Sequence, residues 1–237
     1  VGTHINRNIT WAEQAGPFMT YLARNSFMLQ QGKFAADLAY LLDEGAPSTM
    51  PIWGTGLIPA PPEGYDYDYI NADVLLNRIS VSEDGKLMLP DGMSYSVLVL
   101  PNTDRMTLHV LRKINELVEA GATIIGPRPV TTPGYSGFPD VNPDFRDLAD
   151  ELWADLDGIS RTNRKAGNGN VFWGTPVSVV LAKLGIAPDL EYSKQLDSRI
   201  DWIHRRTGDS DFYFIVNSSD TNLDTNVRFR VTGMEPE

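Results

Sequence analysis

Between Ser94 and Gly126 the sequence runs strand, helix, strand with short turns, and that order leaves few folds open. Residues 94–100 (SYSVLVL) are an apolar run closed by Pro101-Asn102. From Thr107 to Ala120, Leu108, Leu111, Ile114, Leu117 and Val118 recur at spacings of three and four, so they share one helical face. Gly121 stands where a helix ends in a left-handed residue. Ala122 to Gly126 (ATIIG) is the next strand. Such a unit is parallel and right-handed, because a twisted strand feeding a helix packs back onto its sheet only in that hand. Val97, Val99, Ile124 and Ile125 are therefore expected on neighbouring buried strands, with Leu111 and Ile114 packed over them.

The flanking segments extend the same architecture. Residues 34–42 (FAADLAYLL) read as a further buried parallel strand. Pro17 to Gln31 reads as a helix, with Phe18, Tyr21, Leu22, Asn25, Met28 and Leu29 at helical spacing and Gly32 as its stop. Asn71 suits the cap of a short helix over 71–78. Residues 86–92 read as a small strand and turn. Further helices are expected at 143–155, with Phe145, Leu148, Leu152 and Trp153 inward, and from Pro176 to Leu184. Residues 157–169 read as a polar linker before a strand at 171–173. Segment 43–65 carries five prolines, and an irregular stretch of that length inside a domain is usually functional or a lid. After Pro188 the pattern changes to short runs, 200–206, 212–217 and 227–231, which read as antiparallel strands.

Composition excludes some functions. The chain has no cysteine, so disulfides, thiolate zinc sites and thiol nucleophiles are out. A net charge of −11 argues against nucleic acid and against anionic membrane surfaces. No apolar run approaches the length of a membrane span, so no membrane insertion is expected. No phosphate-binding glycine loop, nucleophile elbow or paired-histidine zinc motif is present. His109 is expected on the exposed side of its helix and His204 in a strand, neither with a metal-ligand partner. Val1-Gly2-Thr3 and Glu235-Pro236-Glu237 do not read as natural ends, so the chain is expected to be a piece of a longer protein.

Two segments carry candidate chemistry. His4, Asn6, Arg7, Asn8, Thr10, Trp11 and Glu13 crowd hydrogen-bonding and stacking groups into ten positions, which suits a polyol ligand. They equally suit a plain connecting arm. Asp66-Tyr67-Asp68-Tyr69 puts two acids on one side of an extended segment with aromatic rings between them, as sugar sites often do. A loop latched by tyrosine packing, with an acid capping the next helix, has the same pattern. With 31 carboxylates in the chain, the presence of acids alone assigns no acid/base pair.

Several runs resemble glycoside hydrolase family 106, the α-L-rhamnosidases. They include GTHINRNITWAEQAGPFMTYLARNSFMLQQGKFAADLAYLLDEGAP, GYDYDYINADVLLNRISV, LPDGMSYSVLVLPN, ELVEAGATIIGPRP and RIDWIHRRTGDSDFYFIVNSS, in order along nearly the whole chain. The resemblance implies a catalytic barrel, then an α/β domain similar to class I glutamine amidotransferases, then β-rich modules. It implies that residues 1–16 end the barrel region, 17–187 form the amidotransferase-like domain and 188–237 begin a β-rich module. The family's inverting hydrolysis uses carboxylates expected outside this chain, so no catalytic residue is assigned here. Calcium is implied for the larger protein, with no cofactor and no metal residue in this chain. Export to a periplasmic or extracellular site is implied by the family alone. An amidotransferase nucleophile is a cysteine, so glutaminase activity is excluded by chemistry.

The expected fold is α/β: a three-layer, flavodoxin-like domain with a parallel sheet, followed by an incomplete antiparallel β region. The expected function is an accessory segment of a glycoside hydrolase acting on rhamnosides, inactive alone. The alternative is a non-catalytic carbohydrate-binding or interaction module. Substrate-binding candidates are His4, Asn6, Arg7, Trp11, Asp66 and Asp68.

Overall fold

The computed structural model describes residues 6–46, 48–50, 56–135, 142–194 and 198–235. Helix α1 (Gly16–Leu29) is followed by β1 (Lys33–Phe34), β2 (Leu38–Leu41), β3 (Tyr67–Ile70) and α2 (Ala72–Arg78). A small meander of β4 (Ser80–Val81), β5 (Leu87–Met88) and β6 (Ser94–Tyr95) leads to β7 (Val97–Val99). Then come α3 (Leu108–Glu119), β8 (Thr123–Ile125), α4 (Pro143–Trp153), β9 (Asn163–Ala166), β10 (Gly169–Phe172) and α5 (Val177–Lys183). Strands β11 (Leu190–Tyr192), β12 (Ile200–Arg206), β13 (Asp211–Asn217) and β14 (Val227–Phe229) close the order.

The described residues divide into two compact units. The larger unit, 35–194 with 224–232, is a mixed α/β structure on a six-stranded sheet of order β3-β2-β7-β8-β10-β9. Every pairing in that sheet is parallel except β9 with β10. Its central strands β2, β7 and β8 are buried on both sides because both faces are covered. Leu98 and Ile124 join a core with Leu75 of α2, with Leu111 and Ile114 of α3, and with Phe145 and Trp153 of α4. Val97, Val99 and Ile125 belong to a second core with Val177, Val180 and Leu181 of α5. This corrects the expected packing: all four strand residues are buried, but of them only Ile124 shares a core with Leu111 and Ile114.

Local signals fix the ends of these helices. The Thr107 and Asn71 side chains accept the backbone N–H groups of Val110 and Val74, satisfying donors that a helix start leaves unpaired. Asn142 does the same for Asp144. Polar segment 157–169 is not a plain linker: β9 turns through Gly167-Asn168 into β10 as a hairpin at the sheet edge. The two antiparallel strands β11 and β14 pair within this larger unit.

The smaller unit contains α1 and an antiparallel sheet of order β1-β12-β13. Gly32, at φ +59°, lets the chain pass the Arg206 carbonyl, to which a β-carbon would come within 2.2 Å. The Arg205 guanidinium donates to the carbonyls of Gln31 and Gly32, both at 2.7 Å. His204 is fully buried, 2.7 Å from the Asp211 carboxylate and stacked on Tyr213. Helix α1 buries none of its residues, and Phe18, Tyr21, Leu22, Phe27 and Met28 are 43–65% exposed. No helix among the described residues is long and apolar enough to cross a membrane.

Candidate functional site

From β2 the chain goes to β3 on one side and later to β7 on the other, so the strand order reverses between β2 and β7. In open parallel sheets such a reversal leaves a crevice outside the carboxyl ends of the strands, where ligands bind. Here the crevice measures about 340 Å³. Tyr40, Leu42 and Asp43 enter it from the end of β2, Tyr69 from β3, and Pro101 and Asn102 from the end of β7. The long connection after β2 adds Ser48, Thr49, Leu57 and Ile58.

The crevice tyrosines Tyr40 and Tyr69 belong to a ring cluster with Tyr67. The Tyr40 hydroxyl donates to the Pro59 carbonyl at 2.9 Å. Its ring meets Tyr67 edge-on at 5.5 Å, and Tyr67 meets Tyr69 edge-on at 5.4 Å. Burial raises the Tyr40 phenol above its ordinary range and, with Tyr69 beside it, pushes Tyr67 up to about 12, so both stay neutral. Asp43 accepts the Gly45 N–H at 3.1 Å and lies 3.8 Å from the Arg105 guanidinium. Its neighbour Glu44 is committed elsewhere, accepting the N–H and the hydroxyl of Thr107 at 2.8 Å each.

The opposite, amino end of the sheet holds a second ionic group. Arg230 donates to both Asp37 oxygens at 3.1 and 2.9 Å, to the Ala187 carbonyl at 2.7 Å, and lies 3.6 Å from Asp189. Asp66 completes the group. Burial pushes its carboxyl up to about 6; the charges of Asp189, Asp68 and Asp37 add to this, against the Tyr67 N–H that Asp66 accepts. Asp37 is raised too, chiefly by burial and against the pull of Arg230. A further cavity of about 570 Å³ lies at this end, beside Gly85, Lys86, Gly121, Thr123 and Asn170.

The residues singled out from sequence are dispersed. His4 lies outside the described residues. Asn6, Arg7 and Trp11 sit together in the arm before α1; all three are exposed, and the Asn6 amide oxygen accepts the Asn8 N–H. Asp66 stands just before β3, at the end of the sheet away from the crevice. Asp68 points to the sheet face opposite Tyr67 and Tyr69 and accepts the buried Tyr95 hydroxyl at 2.9 Å, besides the Tyr69 N–H. His109 is exposed, and no cluster of three or more metal-ligating side chains occurs among the described residues. Sequence reasoning missed Tyr40, Asp43 and Asn102. The signal for them was positional: each sits at or just past the carboxyl end of a buried strand.

The sequence profile of a glycoside hydrolase family described as alpha-L-rhamnosidase matches residues 1–237. A curated protein of Formosa agariphila, named provisionally as a beta-glucuronidase, is 35% identical over 239 residues. That match covers 100% of this chain and 19% of the relative, so the chain spans about a fifth of its length. A rhamnosidase structure from Novosphingobium sp. PP1Y superposes with a TM-score of 0.83 at 30% identity, over 98% of this chain and 22% of that one. A GH42 beta-galactosidase of G. stearothermophilus shares the fold alone, with a TM-score of 0.54 at 10% identity over 95% of this chain and 40% of that one.

Proposed function

This chain belongs to glycoside hydrolase family 106, the α-L-rhamnosidases, and from that membership we propose that it is an accessory segment of an enzyme cleaving α-L-rhamnosides, without turnover of its own. The observation that carries the reading is the match of 98% of this chain to 22% of a rhamnosidase. The uncovered apolar side of α1 supports it, because soluble proteins rarely leave such a patch without a partner surface. Asp66 and Asp68 support it as well, since both carboxylates are engaged inside the α/β unit.

In this reading residues 1–16 end a catalytic barrel region, 17–187 form an amidotransferase-like domain of flavodoxin-like type, and 188–237 begin a β-rich module. The strand order supports the flavodoxin-like assignment: counted among themselves, the five parallel strands run 2-1-3-4-5. The acid, the base and any calcium belong to the rest of the enzyme, which acts outside the cytoplasm. The arm carrying His4, Asn6, Arg7 and Trp11 reaches the sugar. Arg7 donates paired hydrogen bonds to adjacent hydroxyls, and Trp11 stacks on the apolar face of the deoxy sugar.

The test uses the longer polypeptide that carries this chain, with Arg7→Ala and Trp11→Ala. Catalytic efficiency on an aryl α-L-rhamnoside is expected to fall at least about tenfold, roughly 1.4 kcal/mol of transition-state stabilisation, with the melting temperature nearly unchanged. A lower melting temperature with normal kinetics in the folded fraction makes the arm structural and refutes the assignment.

A further inference from the structure

We propose that the crevice at the carboxyl ends of β2 and β7 is a non-catalytic binding site for one neutral sugar ring. The proposal is independent of what the larger enzyme cleaves. Its volume of about 340 Å³ lies near the lower limit of ligand pockets, roughly 300–1,000 Å³, which fits a monosaccharide rather than an oligosaccharide.

The lining has the three elements that hold a polyol. The first is a fixed acceptor. Asp43 is held by the Gly45 N–H and, at longer range, by Arg105, and a carboxylate has about four acceptor positions, so capacity remains for vicinal hydroxyls. The second is an adaptable amide. The Asn102 side chain is exposed and makes no hydrogen bond within the described structure, so its donors and acceptor are open to a ligand. The third is an apolar wall. The half-buried Tyr69 ring and Ile58, 62% exposed, both line the crevice. Those surfaces suit the C–H face of a pyranose, and Ile58 suits a methyl substituent. Ser48 adds a further polar residue to the lining.

Charge selects the class. Asp43 brings a negative charge into the crevice, its Arg105 partner is 47% exposed and therefore well screened, and the chain carries −11 overall. A uronate would set a second carboxylate near the first, whereas a neutral sugar meets no such repulsion.

Calorimetric titration of this 237-residue chain with L-rhamnose, D-glucuronate and glycerol tests the proposal. L-Rhamnose is expected to saturate one site with a dissociation constant in roughly the millimolar range. Asn102→Ala and Asp43→Asn are each expected to weaken it about tenfold, with unchanged melting temperature. Arg7→Ala is expected to leave it unaltered, which separates this site from the arm. Three results overturn the proposal. They are no saturation, tighter binding of D-glucuronate or glycerol than of L-rhamnose, and binding that survives both crevice substitutions in folded protein.

Discussion

Asp66 offers the sharpest thermodynamic test of the α/β unit. Its carboxyl is pushed up to about 6 in the folded chain, against about 3.9 in an unfolded one. A carboxyl raised on folding favours the native state below the unfolded value and loses that contribution as pH rises through the folded one. Two units of difference correspond to at most about 3 kcal/mol, and water at the half-buried carboxyl lowers this to about 1–3 kcal/mol. Asn at this position keeps the oxygen that accepts the Tyr67 N–H and cannot ionise. Asp66→Asn should therefore gain about 1–3 kcal/mol relative to wild type between pH 4 and pH 8. Urea unfolding of both proteins at the two pH values, followed by near-ultraviolet circular dichroism, reads the difference. A difference that does not change with pH, or one that shrinks as pH rises, refutes the buried-acid geometry.

Other expectations concern stability. Leu111→Ala empties a fully buried position in the α3 layer and should cost about 2–5 kcal/mol by urea unfolding; a loss under about 0.5 kcal/mol would put α3 on the wrong face. Arg230→Leu leaves Asp37 and Asp189 without the cation they share. It should cost about 2–4 kcal/mol at pH 8, below the 3–5 kcal/mol typical of full burial, and less at pH 5, where Asp37, raised by burial and no longer opposed by Arg230, takes up a proton more readily. An equal loss at both pH values would mean that the arginine acts through packing alone.

What was legible in the sequence was local. The apolar run ending in Pro101, the Thr107 cap, the stripe through Val118 and Gly121 at φ +121° each state their own structure. The face that Leu111 covers was not legible, because strands buried on both sides are apolar at every position and so carry no record of side. Strand β3 was hidden for the opposite reason. It is an edge strand whose Tyr and Asp residues alternate, so it reads as an extended segment or a latched loop and not as part of the buried sheet. The β9–β10 hairpin hid behind Asn163, Arg164 and Lys165, residues suited to an exposed edge. The site was the least legible part. The crevice gathers residues from three strand ends that only the crossover brings together, and Asp37 meets Arg230 across 193 residues of chain.

The central claim is that this chain serves a rhamnoside-cleaving enzyme without housing its acid and base. Hydrolysis of an aryl α-L-rhamnoside tests it most directly, with the purified 237-residue chain measured beside the longer polypeptide that contains it. The account predicts aglycone release by the longer polypeptide and none above the buffer rate by the chain alone. Turnover by the chain alone, abolished by replacing one of its own carboxylates such as Asp66, would contradict it.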